Sequence, residues 1–157
     1  MKKSMVSFVI ICMTTFALSA QEISKNSIGI RLGDNSGLGA EISYQHKLKE
    51  VNRLEVNLGT RSDSNLSSFK LTGLYQWVWD LDNNFNWYAG VGGGIGSWKN
   101  KVLNSSEAVL FGAGNIGIEY NFEIPLLISV DYRPEFGFSD IYDGLNSDFA
   151  LSVRYQF

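Results

Sequence analysis

Residues 148–157, with the sequence DFALSVRYQF, alternate strictly between two kinds of side chain. One face carries Phe149, Leu151, Val153, Tyr155 and Phe157, and the other carries Asp148, Ala150, Ser152, Arg154 and Gln156. Alternation with a period of two is the signature of a β-strand whose two faces meet different surroundings. The stretch therefore predicts a strand with one fully apolar face and one polar face that carries charge.

The same alternation recurs along most of the chain. It is present in residues 28–33, 38–45, 53–59, 69–77, 85–96, 115–120 and 128–133. Segments rich in turn-forming residues separate these stretches, at residues 34–37, 47–52, 62–65, 80–84, 97–106, 121–125 and 137–147. The pattern predicts an all-β protein with eight antiparallel strands in up-and-down order.

Length and composition narrow the class of protein. The chain has 157 residues, which suits one domain, and its 45% hydrophobic content is too high for a disordered chain. A net charge of −3 argues against a nucleic-acid partner, which calls for a basic surface. Beyond residue 20, no apolar run approaches the roughly 20 residues of a membrane-spanning helix.

The first residues have the pattern of a secretory signal peptide. Lys2 and Lys3 precede an apolar stretch at residues 6–13, and residues 16–20 end in the small residues Ser19 and Ala20. We expect residues 1–20 to be a signal peptide and residues 21–157 to form the folded domain. The only cysteine, Cys12, lies in the leading segment, so no disulfide or thiol site is expected in the domain.

Charged residues on every polar face decide how the strands close. A soluble barrel would place the apolar face inside, whereas a membrane barrel places it toward lipid and pairs the charges in a narrow lumen. Large apolar faces, glycines on the polar faces, and aromatic residues at the strand ends all favour the membrane barrel. The predicted lumen network comprises Arg31, Glu41, Arg53, Glu55, Glu119, Asp131, Arg133 and Arg154. The predicted aromatic girdle comprises Trp77, Trp79, Trp87, Tyr120 and Tyr155.

Three motifs together resemble a known family. They are the glycine-rich stretch WYAGVGGGIG at residues 87–96, the stretch GIEY at 117–120 followed by VDYR at 130–133, and the alternating residues 149–157. They resemble the small eight-stranded outer-membrane β-barrels, such as the OmpA membrane domain and OmpX. The resemblance implies a transmembrane barrel with both ends on the periplasmic side. It also implies that Val153, Tyr155 and Phe157 form a signal read by the outer-membrane barrel assembly machinery.

No constellation of residues predicts catalysis. The lone histidine, His46, lies at a strand end expected on the periplasmic side, and Asp140, Asp143 and Asp148 are interpreted as a solvated outer loop. We expect an integral outer-membrane protein with a structural role in envelope integrity and no enzyme activity, cofactor or metal. Outer-membrane lipid, lipopolysaccharide and the assembly machinery are the expected partners, and the protein is expected to be a monomer. A narrow channel for ions or small solutes, or a soluble secreted ligand-binding barrel, are the alternatives.

Overall fold

The computed structural model describes residues 23–33, 39–62, 66–100, 105–139 and 142–157, so the predicted signal peptide lies outside the described residues. Eight strands make up the fold. They are β1 (Asn26–Gly33), β2 (Gly39–Lys49), β3 (Asn52–Ser62), β4 (Leu66–Asp82), β5 (Phe85–Asn100), β6 (Ser105–Asn121), β7 (Leu126–Ser139) and β8 (Tyr142–Gln156). Within the described residues, no helix is long and apolar enough to cross a bilayer.

The strands close into a barrel in which each pairs antiparallel with its neighbours in sequence. On β1, Ile30 pairs with Ile42 of β2 on one side and with Val153 of β8 on the other. The predicted eight-stranded antiparallel barrel is confirmed. We call the end that holds the start of β1 and the finish of β8 the inner end, and the opposite end the outer end.

The apolar faces point outward and the charged faces point into the lumen. Ile30 and Val153 are 53% and 46% exposed on the outer surface, whereas the neighbouring Arg31 and Arg154 are each 1% exposed. The same inversion runs round the barrel, as expected for a protein whose outer surface meets lipid. The soluble secreted barrel requires the opposite arrangement and does not fit this structure.

The outer hairpins contain more strand than the sequence predicts. Residues 97–106 and 137–147 are rich in polar residues and were expected to form loops. Instead β5 continues to Asn100, β6 begins at Ser105, and β7 and β8 extend to Ser139 and from Tyr142. Strand pairing depends on backbone hydrogen bonds, and side chains beyond the lipid can be polar on both faces. Polarity alone therefore does not mark where these strands end.

The turn between β4 and β5 at the inner end is a two-residue hairpin loop. Asp82 pairs with Phe85, and Asn83 and Asn84 between them have φ angles of 38° and 76°. Positive φ at both central positions is the requirement of the tight turns that match the twist of a hairpin, and asparagine tolerates it better than most residues. The local sequence thus fixes the register at which β4 meets β5.

Candidate functional site

All eight charged residues predicted for the lumen point into it and are buried. Their exposed fractions range from 0% at Arg133 to 8% at Glu41. A charge removed from water is costly unless it is paired and its remaining hydrogen-bonding groups are satisfied. The pairing of these lumen charges therefore has a large effect on the stability of the barrel. The ion pairs form two groups, an outer cluster and an inner cluster.

Arg31 is the centre of the outer cluster. Its guanidinium lies 2.6 Å from a carboxylate oxygen of Asp131, 2.6 Å from one of Asp148, and 3.3 Å from one of Glu41. These three acids belong to β7, β8 and β2, so one side chain on β1 links it to three other strands. The planar fork of an arginine suits this role because it has five N–H donors in fixed directions.

Arg133 extends the outer cluster. Its Nη2 atom donates to both carboxylate oxygens of Glu41, at 2.6 and 2.8 Å, and its Nε atom lies 3.0 Å from Glu135. Lys70 of β4 contacts Glu135 at 2.8 Å. The Lys70 side chain is 20% exposed, whereas the side chains of Arg133 and Glu135 are fully buried. Lys70 is thus the member of this cluster nearest to solvent at the outer end.

The inner cluster contains two ion pairs joined by an amide. Arg53 Nη2 lies 2.7 Å from Glu119 Oε2, and Arg154 Nη2 lies 3.2 Å from Glu55 Oε1. Gln76 links the pairs, because it accepts a hydrogen bond from Arg53 Nε at 2.6 Å and donates one to Glu55 at 2.9 Å. The inner cluster therefore acts as one connected unit.

Uncharged side chains complete the inner cluster. Glu55 also accepts hydrogen bonds from Gln45 at 2.7 Å and from Asn57 at 2.9 Å. Arg154 donates to the hydroxyl groups of Ser43, at 2.9 Å, and Ser129, at 2.8 Å. Satisfying these extra donors and acceptors is what makes the burial of a charged pair tolerable.

Glycines on the lumen face of the barrel wall make space for large lumen side chains. A Cβ atom placed on Gly33 would lie 2.5 Å from the Asp148 carboxylate, and one on Gly117 would lie 2.5 Å from the Tyr88 ring. These separations are shorter than any van der Waals contact, so a side chain at either position would displace its neighbour. The prediction that glycines accommodate bulky lumen residues therefore has a direct geometric basis.

Asp148 was assigned both to the polar face of the last strand and to an outer loop, and other lumen residues were left out of the predicted network. Asp148 was interpreted as part of a solvated outer loop, but it is 3% exposed and bound to Arg31. Asp140 lies outside the described residues. Lys70 and Glu135 were assigned to the polar faces but left out of the predicted network, and Tyr88 was missed, although its position in the period-two pattern would have placed it inside. Tyr88 is fully buried, and the Arg53 guanidinium carbon lies 4.8 Å from its ring centre.

The predicted girdle residues lie on the outward face toward the inner end. Trp79 and Trp87 stack with ring centres 4.3 Å apart, and Trp77 lies edge-on to Tyr75 at 5.0 Å. Tyr120 contacts Phe85 at 4.7 Å. The proposed assembly-signal residues Val153, Tyr155 and Phe157 also face outward, with exposed fractions of 46%, 57% and 58%.

A metal centre has no support in the described part of the chain. No group of three or more His, Cys, Asp or Glu side chains there has the geometry to hold a metal ion. His46 faces outward, and its Nδ1 atom lies 2.9 Å from the Asn26 side-chain oxygen. The carboxylates that do converge are those of the two lumen clusters, where guanidinium groups lie between them.

Several solved structures of small β-barrels have a similar fold. The N-terminal β-barrel domain of Pseudomonas aeruginosa OprF matches with a TM-score of 0.72 and 12% identity, over 84% of this chain and 96% of that one. Neisserial surface protein A matches with a TM-score of 0.64 and 13% identity, over 84% and 94%. The attachment invasion locus protein Ail of Yersinia pestis matches with a TM-score of 0.56 and 16% identity, over 85% and 97%. No family model and no curated protein matches the sequence.

Proposed function

Because the chain has the fold of the small eight-stranded outer-membrane barrels, we propose that it is an integral outer-membrane protein that supports envelope integrity and performs no catalysis. The observation that carries this proposal is the lumen of the described barrel, which is packed with two clusters of paired charges and with buried apolar side chains. The buried ion pairs of the lumen join the strands of the barrel to one another. An eight-stranded barrel has an interior just wide enough for side chains to fill.

The remaining parts of the proposal rest on the signal-peptide pattern and on the resemblance to the small outer-membrane barrels. Residues 1–20 direct export, and Val153, Tyr155 and Phe157 are recognised by the barrel assembly machinery. The inner end faces the periplasm, and the girdle of Trp77, Trp79, Trp87, Tyr120 and Tyr155 lies at the lipid interface. Lipid and lipopolysaccharide surround a monomeric barrel.

The first experiment is cell fractionation with electrophoresis of unheated and boiled samples. A folded membrane barrel is expected in the outer-membrane fraction, with a mobility that changes on boiling. Recovery in the soluble periplasm without a heat-dependent shift would contradict the location and the membrane fold.

A second experiment tests the envelope role. A strain lacking the protein is expected to become more sensitive to detergent and to large hydrophilic antibiotics, and the wild-type chain is expected to restore resistance. Arg31→Met, which removes the centre of the outer cluster, should restore less, whereas Lys49→Met on the exposed inner turn should restore fully. Lipid A modification or proteolysis that depends on the protein would overturn the absence of catalysis.

A narrow channel for ions is the second candidate. It is favoured by buried lumen atoms without a protein hydrogen-bond partner, including Thr72 Oγ1, Asn115 Oδ1 and Ser152 Oγ. Buried polar groups of this kind usually bind water, and linked water molecules provide a path for small ions. Planar-bilayer recordings of the purified barrel test this candidate. Conductance no higher than that of a protein-free bilayer would remove it.

A further inference from the structure

An apolar side chain closes the inner end of the lumen. Ile23, which precedes β1, is only 8% exposed and packs in a cluster with Val78 and Tyr88. Val78 and Tyr88 are 4% and 0% exposed and lie on the lumen faces of β4 and β5. This cluster is separate from the other buried apolar cluster of the lumen, which contains Leu74, Val109, Phe111 and Ala113. Val78 and Tyr88 provide the surface on which Ile23 is buried.

Backbone hydrogen bonds fix the residues around Ile23. The Lys25 carbonyl accepts a hydrogen bond from the Lys47 amide at 2.9 Å. Asn26 and Phe157 exchange two backbone hydrogen bonds, at 3.0 and 2.9 Å, which join the start of β1 to the end of the chain. Lys25 and Asn26 are therefore held against β2 and against the residue that follows β8, and Ile23, just before them, is buried at the mouth of the barrel.

The space behind Ile23 is a small cavity next to the inner cluster. Ile23 and Leu127 provide apolar parts of its wall, and Ser27, Arg53 and Glu119 provide polar parts. This partly enclosed cavity has room for about one water molecule, and the half-buried Lys47, Asn121 and Gln156 form part of its rim. Ile23 thus stands between the solvent at the inner end and the buried ion pair of Arg53 and Glu119.

We propose that residues 23–25 form a plug that closes the lumen at the inner end. Withdrawing Ile23 removes the apolar part of the closure and admits water to the inner cluster. The hydrogen bonds of Asn26 to Phe157 lie outside the plug, so the barrel wall stays closed without the plug. The proposal concerns access to the lumen and holds whether or not the protein has the envelope role proposed above.

Cysteine labelling of the plug itself is the first test. In a Cys12→Ser background, Ile23→Cys and Leu48→Cys each place a single cysteine at the inner end of the folded barrel. Leu48 is 48% exposed on the inner turn and serves as the matched control. With a charged, membrane-impermeant thiol reagent, Ile23→Cys is expected to react at least about tenfold more slowly, as expected for a site that must open locally to react. Equal rates in heat-modifiable, folded protein would overturn the plug.

Opening of the lumen is the second test, and it leaves position 23 free for substitution. Ser27→Cys provides the reporter, because Ser27 is 3% exposed and lines the cavity behind the plug. Adding Ile23→Ser is expected to raise the labelling rate of this cysteine about tenfold, because the apolar burial that holds the plug is lost. Adding Lys49→Ser, which alters an exposed side chain at the end of β2 outside the plug, should leave the rate unchanged. A reporter that reacts equally fast in all three folded proteins would show that residues 23–25 do not close the lumen.

Discussion

Arg31 of β1 and Asp148 of β8 meet inside the strand pair that closes the barrel, with Nη1 2.6 Å from Oδ2. They are 117 residues apart in the sequence. Their contact can form only after the last strand has reached the first, so this ion pair belongs to the closed barrel and to no partly assembled sheet. The outer cluster therefore stabilises the closed barrel directly.

Removing the centre of the outer cluster should destabilise the barrel strongly. Arg31→Met leaves the carboxylates of Asp131, Asp148 and Glu41 buried together with one guanidinium fewer. Breaking a buried ion pair from one side typically costs about 3–5 kcal/mol in the free energy of unfolding. Urea unfolding in lipid vesicles, followed by tryptophan fluorescence, measures the change. Lys49→Met, an exposed charge, should change it by less than about 0.5 kcal/mol, and equal effects of the two variants would contradict the role of the cluster.

A double-mutant cycle should show that Arg53 and Glu119 stabilise each other. We expect Arg53→Met and Glu119→Leu to be less costly together than the sum of the single changes, with a coupling energy of about 0.5–3 kcal/mol. The reason is that the second substitution removes a charge that the first left unpaired. The control cycle combines Arg53→Met with Asp148→Asn, which belong to different clusters, and should give a coupling below about 0.5 kcal/mol. Equal coupling in both cycles would contradict the division into two clusters.

A methyl group added to a glycine should destabilise the barrel far more on the lumen face of the wall than on its outward, lipid-facing surface. Gly117→Ala places a Cβ atom 2.5 Å from the Tyr88 ring, and overpacking of this kind costs about 1–3 kcal/mol. Gly73→Ala is the matched control, because a Cβ atom there has no neighbour within 4 Å and points outward. Unfolding in vesicles compares them. A larger loss in Gly73→Ala would show that the lumen packing is misassigned.

Lipid contact predicts a strong dependence on position for charges introduced on the outer surface. Val91 is 58% exposed in the middle of β5, and Val91→Arg should cost about 2–4 kcal/mol because the charge enters the hydrocarbon. Leu81→Arg, 48% exposed at the inner turn, should cost no more than about 1 kcal/mol. Both positions are equally open to water in a soluble barrel, so equal costs would argue against a surface covered by lipid.

The sequence predicted which face each strand turns inward, because side-chain direction follows directly from the period-two pattern. It did not predict which charges meet. Arg53 and Glu119 lie on β3 and β6, which are not paired, so their contact depends on the width of the lumen and on side-chain rotamers. The role of Ile23 was also missed, because one apolar residue before a strand carries no periodic signal.

The limits of the predicted outer loops have a different cause. Residues 97–106 contain lysine, asparagine and serine, which occur both in turns and in strands that project beyond the bilayer. The same ambiguity placed Asp148 in a loop, although its alternation with Phe149 also marked it as inward-facing. Where composition and alternation conflicted, alternation was the better guide, because it reports the geometry of the backbone itself.

The outward face and the lumen face of the barrel wall differ in how readily their residues can be substituted during evolution. On the outward face, any apolar side chain can contact lipid, so isoleucine, leucine, valine and phenylalanine are nearly interchangeable there. In the lumen, a change at Arg31 is felt by carboxylates on three other strands, so acceptable changes must arrive in compensating sets. Barrels of this kind can therefore share a fold with the OprF domain at only 12% identity. Matched pairs of lumen charges are therefore a better basis for comparing such barrels than overall sequence similarity.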